Sequence, residues 1–323
     1  MNIKIRIISI ILFSFIILMT ASFIGPYINI NAIFDYSSQD SYIFWQIRIP
    51  RVITAFLTGG ILAVSGLVFQ SIFKNPIATP YTLGVASGAS MGAAIYYLFG
   101  SALSYSFIGG SISAVVGALI VIIIVYLIGI MGNKVDTSVI LLSGVAISFF
   151  CSSTIMFIQY FSDPANSYKI TRYMMGSLSS SHIEYLKYIM PVSLISLFII
   201  FSNHMELDII STGDNIALSR GVNVKKTIYT LYFTVSIMLA VTISIFGPIG
   251  FIGMMIPHIC RNITSSKNKI LIPVSFIFGG SFLIICDTIA RIIIAPADLP
   301  VGIITSMIGA PFFIFLVIKS KKK

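Results

Sequence analysis

The stretch from Ile108 to Met131, IGGSISAVVGALIVIIIVYLIGIM, carries no charged or amide side chain. A helix of this length matches a hydrocarbon core about 30 Å thick at ~1.5 Å rise per residue. Comparable apolar runs recur on both sides of it, so spans fall near residues 5–24, 51–73, 82–100, 108–131, 138–160, 186–203, 227–246, 249–262, 270–292 and 300–318. Composition agrees with this reading. Of the 323 residues, 57% are hydrophobic and 9% charged, against about 25% charged in a soluble domain. The expectation is an all-α, polytopic membrane protein of about ten transmembrane helices, with lipid as its main solvent and residues 1–323 forming a single transmembrane domain. The eighth span is the weakest, because Gly247, Pro248, Gly250, Gly253 and Pro257 interrupt it. A short or bent helix is expected there.

An even number of spans puts both termini on one side, and the closing Lys319, Lys321, Lys322 and Lys323 mark that side as cytoplasmic by the positive-inside rule. Counted over all connections, 14 of the 20 Lys and Arg fall inside and 6 outside. The net charge of +10 therefore reports topology, and no nucleic-acid partner is expected. The first segment, Ile5 to Ile24, exceeds the usual signal core of roughly 7–15 residues and lacks a clear small-x-small site, so it reads as an uncleaved helix. Cys151, Cys260 and Cys286 lie within apolar runs without paired spacing, which points to core residues rather than a disulfide or zinc site.

Ion-coupled carriers bury ionisable groups at mid-membrane, where a charge is costly. These spans hold almost none: Asp287 lies in an outer third, and His258 and Arg261 lie near an inner end. A channel or ion-coupled carrier is thus the disfavoured rival class. The histidines His182, His204 and His258 are scattered, no acid pair or activated nucleophile assembles, and no phosphate loop of the Gly-x-x-x-x-Gly-Lys type is present. Any energy the protein uses must come from elsewhere. A candidate inlet is the longest cytoplasmic connection, residues 204–226. Within it Thr212 is a plausible N-cap, Asp214 suits a helix start, Arg220 its end and Gly221 a left-handed stop. A short helix with exposed Ile and Leu, among them Leu218, suits a partner's groove, although a plain connector would have the same length.

Three arginines oppose the charge rule. Arg48 and Arg51 fall at the outer mouth of the second span and Arg291 at the outer end of the ninth. They either snorkel to headgroups, with Arg291 pairing to Asp287 one turn earlier, or present guanidinium forks to carboxylates of a partner. Small-residue stripes also recur: Gly84, Gly88 and Gly92 in the third span, Ala55, Gly59 and Ala63 in the second, and Gly109, Ser113 and Gly117 in the fourth. Such stripes let helices pack closely in lipid.

Several motifs in order carry a family resemblance. They are Arg48-Ile-Pro-Arg51; Gly59-Gly60 to Ser65-Gly66; Asn75-Pro76-Ile77-Ala78-Thr79-Pro80 followed by Leu83-Gly84 to Gly88-Ala89; Leu142-Ser143-Gly144-Val145-Ala146; Met174-Met175-Gly176-Ser177-Leu178; Gly247-Pro248 to His258 and Arg261; and Leu299-Pro300-Val301-Gly302 ahead of Ile308-Gly309-Ala310-Pro311-Phe312. From about Arg48 to Ile318 the sequence resembles the FecCD-type permeases of type II ABC importers, whose cargoes are ferric siderophores, haem and vitamin B12. The resemblance implies a permease subunit in a bacterial cytoplasmic (inner) membrane, paired with a second permease subunit, two ATPases and an extracytoplasmic binding protein. It implies no catalytic residue, metal or cofactor in this chain, with ATP and magnesium held by the ATPase. It further implies that Arg48, Arg51 and Arg291 dock the binding protein, and that Asn75, Ile77, Thr137 and Ser138 form a cytoplasmic gate. The segment 206–221, with Asp214, Leu218, Arg220 and Gly221, would couple to the ATPase. Two positions depart from the family pattern: Tyr173, where relatives often carry tryptophan, and Asp298, where many have glutamate. A ferric siderophore is the favoured cargo, ahead of haem and cobalamin.

Overall fold

The structure, a computed structural model, describes residues 3–25, 33–35, 38–99, 107–131, 136–179, 181, 183–295 and 297–320; His182 and Lys321 to Lys323 lie outside them. The described residues form helices α1 (Ile3–Thr20), α2 (Gln39–Ile72), α3 (Val85–Phe99), α4 (Phe107–Gly129), α5 (Thr137–Phe161), α6 (Pro164–Met174) and α7 (Ile183–Ser202), followed by α8 (His204–Ile210), α9 (Asp214–Ser219), α10 (Val224–Phe246), α11 (Ile252–Ile263), α12 (Asn268–Ile293) and α13 (Val301–Ser320). Seven of these are long and apolar enough to cross a membrane. The shorter apolar helices α3 and α13, together with the 12-residue α11, complete ten.

Contacts between distant segments sort onto two ends of the bundle. At one end Arg6 donates to the Ile263 carbonyl, the Asn268 amide to Asp208, and Lys74 pairs with Asp214. At the other, Arg291 reaches the Ala21 carbonyl, Arg51 reaches Asp298, and the Ser177 amide donates to Phe246. Every pair joins residues that the ten-span reading puts on the same side of the membrane, so alternation of the spans follows from packing as well as from charge.

Helix α2 is the centre of the bundle and packs most extensively on α12. Its outer start differs from the sequence expectation. The helix begins at Gln39, not near residue 51, and runs through a π-helical turn over Ile43–Arg48 in which the Ile49 amide bonds back to Phe44. Ser38 caps it by accepting from the Ser41 amide, and Asp40 lies in the first turn. The wider π turn takes the ring of Pro50, which would otherwise strike the preceding turn. Polar Gln39, Asp40, Ser41 and Gln46 conceal this extension from hydropathy.

Small residues set the closest approaches. A Cβ on Gly66 would fall on the backbone of Gly253 in α11, and one on Gly59 would fall on the Gly279 carbonyl of α12. The stripe in the third span packs on the stripe in the fourth: a Cβ on Gly88 would lie 2.8 Å from the Gly117 carbonyl. Helix α11 is short, as expected, and starts after Phe251, whose φ of 67° turns the chain into it. The three cysteines are buried and unpaired. Helix α6 was not foreseen, although Asp163, which caps it by accepting from the Asn166 amide, and Pro164 form a legible start.

Gly66→Ala should destabilise the chain by about 1–3 kcal/mol or more, since backbone cannot move aside as a side chain can. Gly250→Ala, whose Cβ would meet nothing nearer than 3.7 Å, should melt like the parent. Thermal unfolding in detergent, followed by size exclusion, measures both.

Candidate functional site

At the outer end, the three arginines converge on one buried network. Arg51 is 5% exposed. Its Nε donates to Asp287 Oδ1 and Oδ2 at 3.0 and 3.1 Å, its Nη2 to Asp287 Oδ1 at 2.9 Å and its Nη1 to Asp298 Oδ2 at 2.7 Å. Arg291 pairs with the same Asp287 at 3.2 Å and donates from Nη2 to Thr288 Oγ1 and to the Ala21 carbonyl. Arg48 donates to the Ser22 carbonyl at 3.4 Å, and Gly25 packs against its guanidinium group.

The carbonyls so engaged follow the last turn of α1, where no further helical amide is available to them. Two of the guanidinium groups therefore cap the negative end of that helix. The sequence expectation of open forks thus differs from the structure: the forks are buried and engaged within the chain. The alternative pairing of Arg291 with Asp287 is present, and it extends to Arg51, 236 residues away. Asp298 is the network's exposed acid, with 35% of its side chain accessible. Its partnership with Arg51 was missed, because the two are distant in sequence and no periodicity links them.

The inner end brings two more sets together. Asn75 and Ile77 lie in the tight connection after α2, where Asn75 Oδ1 accepts from the Ile77 amide. Thr137 and Ser138 open α5, with Asp136 accepting from the Ser138 and Val139 amides. Helix α5 packs on the segment after Asn75: a Cβ on Gly144 would lie 2.5 Å from the Thr82 carbonyl, and Ser148 Oγ donates to the Tyr81 carbonyl. No hydrogen bond or ion pair among the described residues joins the two pairs directly. Deeper in, Gln70 donates to the Gly253 carbonyl and accepts from Arg261 Nη1, a polar tie between α2 and α11.

The segment 206–221 falls on two short helices, α8 and α9. Thr212 is not the cap, since its hydroxyl bonds back to Ile209; Gly213, at φ 138°, takes that position. The left-handed stop at Gly221 is as expected, with φ 79°. Leu218 is 61% exposed while Leu207, Ile210 and Ala217 are buried, so the segment presents an apolar side chain away from the bundle. Asp214 at the head of α9 pairs with Lys74 at 2.6 Å. Lys74 directly precedes Asn75 and itself holds a positive φ of 49°, so α9 is linked by side chains to the tight turn at the foot of α2.

A lipid-spanning bundle with an amphipathic inner segment tied to its central helix, and with no charge cluster at mid-membrane among the described residues, fits the class of transport permeases. A model of the FecCD transport family matches residues 8–319, and the chain belongs to that family. It is similar to the cobalamin import system permease protein BtuC of Halobacterium salinarum, at 35% identity over 84% of this chain and 72% of the relative. It is also similar to the Fe(3+)-citrate import system permease protein YfmE of Bacillus subtilis, at 32% identity over 92% of this chain and 88% of the relative. A solved structure described as an inward-facing conformation of a metal-chelate type ABC transporter superposes with a TM-score of 0.87 at 28% identity, covering 98% of this chain and all of that one. The chain is thus a multi-pass permease of the ABC importer class.

Asp287→Asn leaves two buried guanidinium groups short of their shared counter-charge and should cost about 3–5 kcal/mol, the usual penalty for breaking a buried pair. Asp298→Asn, at the exposed edge, should cost about 1 kcal/mol or less. Melting temperatures of the two variants in detergent order them.

Proposed function

We propose that the chain is the permease subunit of a ferric-siderophore importer in the cytoplasmic membrane. It would receive the chelate from an extracytoplasmic binding protein, pair with a second permease subunit and be driven by a separate ATPase that holds ATP and magnesium. The supporting observation is the inner-end assembly, in which a protruding apolar residue, Leu218, belongs to a helix tethered by Asp214 and Lys74 to the turn bearing Asn75 and Ile77. A push on α9 reaches that turn through one ion pair. Arg220 and Gly221 close the helix against the next connection, fixing the direction in which Leu218 points. ATP-driven uptake needs such a link, whereas an ion-coupled carrier needs a mid-membrane titratable group.

A ferric chelate is favoured by similarity to an Fe(3+)-citrate permease and to a metal-chelate type transporter; haem and cobalamin are the alternatives within the family. Ser138 shares one α5 face with Leu142, Val145 and Phe149, whose side chains are 71%, 39% and 72% exposed. That face suits a second permease copy across a symmetry axis, with the gate residues meeting their mates. Docking of the binding protein at Arg48, Arg51 and Arg291 would proceed at Asp298, where an incoming carboxylate exchanges for the exposed internal one.

Reconstitution with the ATPase and binding protein in proteoliposomes tests the assignment against ferric siderophores, haemin and cobalamin. ATP-dependent uptake of a ferric siderophore is expected; preference for haemin or cobalamin reassigns the cargo, and uptake without the ATPase returns the chain to the carrier class. Leu218→Asp should abolish co-purification of the ATPase while the permease still folds, with up to about 1–3 kcal/mol of apolar burial lost. Ser138→Cys should crosslink between subunits when the path is closed inside, and the bond should block transport.

A further inference from the structure

A shallow cleft of about 300 Å³ opens at the inner end between α4 and α10, lined by Tyr126, Asn223, Lys225, Lys226 and Tyr229. It adjoins the coupling segment 206–221, but none of its lining residues belongs to that segment, to the gate residues or to the outer network. We propose that this cleft binds an anionic phospholipid of the cytoplasmic leaflet, with its headgroup phosphate on Lys225 and Lys226 and an acyl chain along α10.

The argument begins with charge. Lys225 and Lys226 stand in the first turn of a 23-residue helix that has no acidic residue in that turn. Cations at a helix N-terminus oppose its dipole, and neither lysine pairs with a carboxylate among the described residues. Both are solvent-exposed, and both lie on the side that the positive-inside rule makes cytoplasmic. An anion there relieves both repulsions at once.

What lies beneath the lysines identifies the anion's carrier. Lys226, Tyr229, Phe233 and Ile237 follow one another at spacings of three, four and four, so they form a single stripe running from the helix start into the span. The order is cation, phenol, phenyl, aliphatic, the polarity sequence of a phospholipid from headgroup to chain. Tyr229 is 50% exposed and Ile237 44%, so the stripe faces outward. Tyr229 lies one turn, about 6 Å, below Lys225, a depth suited to an interfacial tyrosine. The rings are held in place: Tyr229 packs on Phe233 with centroids 4.7 Å apart, and Tyr126 of α4 packs on both at 5.5 and 5.1 Å. The α4 side continues as exposed Leu127, Ile124 and Ile120, which gives the chain a second apolar wall. A soluble acidic partner would use the lysines but would have no use for the aromatic and aliphatic stripe below them.

Native mass spectrometry of the full chain, released from nanodiscs of phosphatidylglycerol mixed with phosphatidylcholine, tests the site. Retained phosphatidylglycerol is expected in preference to phosphatidylcholine. Each juxtamembrane lysine contributes about 1 kcal/mol to anionic-lipid binding, so Lys225→Gln/Lys226→Gln should weaken it by roughly 25-fold. Tyr229→Ala should reduce retention without removing the anionic preference, a change that loss of fold would not produce. Equal retention of both lipids, displacement of the bound lipid by inorganic phosphate alone, or unchanged phosphatidylglycerol binding in the double variant would each overturn the proposal. Loss of ATPase co-purification in the double variant with lipid binding intact would assign the lysines to the ATPase and overturn it as well.

Discussion

Within the hydrocarbon core there is no water to take up a backbone hydrogen bond, so every peptide group of a span that faces lipid must be satisfied inside its own helix. That constraint makes the spanning segments helical, and it also removes the usual force that gathers helices, because lipid tails are as apolar as Leu. What remains is contact. Helices α2, α11 and α12 gain it through Gly59, Gly66, Gly253 and Gly279, where backbone meets backbone across positions with no side chain. The same economy brings α3 onto α4 through Gly88 and Gly117. Polar ties are confined mostly to the two ends, where water and headgroups tolerate them.

The division between a quiet middle and two busy ends also organises function. Among the described residues the charges of the long helices, such as Arg51, Asp287 and Arg291, gather toward their ends and leave the middle apolar. The outer end is stiffened by Arg51 and Arg291 around Asp287, both guanidinium groups nearly out of water. The inner end is fastened more lightly, by an ion pair between Lys74 and Asp214 whose side chains are 32% and 51% exposed. Such a pair is worth little as stabilisation. It is suited to an element that changes partners during a cycle.

Much of this was legible before any coordinates. Hydropathy gave the spans because lipid imposes one strong rule on long segments, and the break at Gly247 and Pro248 announced the short α11. The glycine stripes named the packing faces, and Gly221 marked the end of α9. Other features were hidden for physical reasons. The start of α2 is polar in sequence and helical in structure, since Gln39 to Gln46 is held by a cap and a π turn rather than by an apolar face. Thr212 looked like a cap because its side chain is chemically suited to one; the backbone turns at Gly213 instead. The arginines stood out as exceptions to a charge rule, and the Arg291–Asp287 pair was legible from its four-residue spacing; Arg51, however, lies 236 residues from Asp287 and 247 from Asp298, and partners at that distance leave no local pattern. The gate and coupling residues rest on family resemblance, and the structure adds their placement and tethers.

The separation within that outer network bears on how the protein is made. A ribosome adding about 5–20 residues per second needs roughly 10–50 s to travel the 236 residues from Arg51 to Asp287. During that interval Arg51 has emerged without its acid, and a lone guanidinium cannot settle in hydrocarbon. Until α12 arrives, Arg51 at the outer end of α2 must keep its charge among the headgroups by snorkelling. The ion pair that locks the central helix therefore closes only after nearly the whole chain has been made.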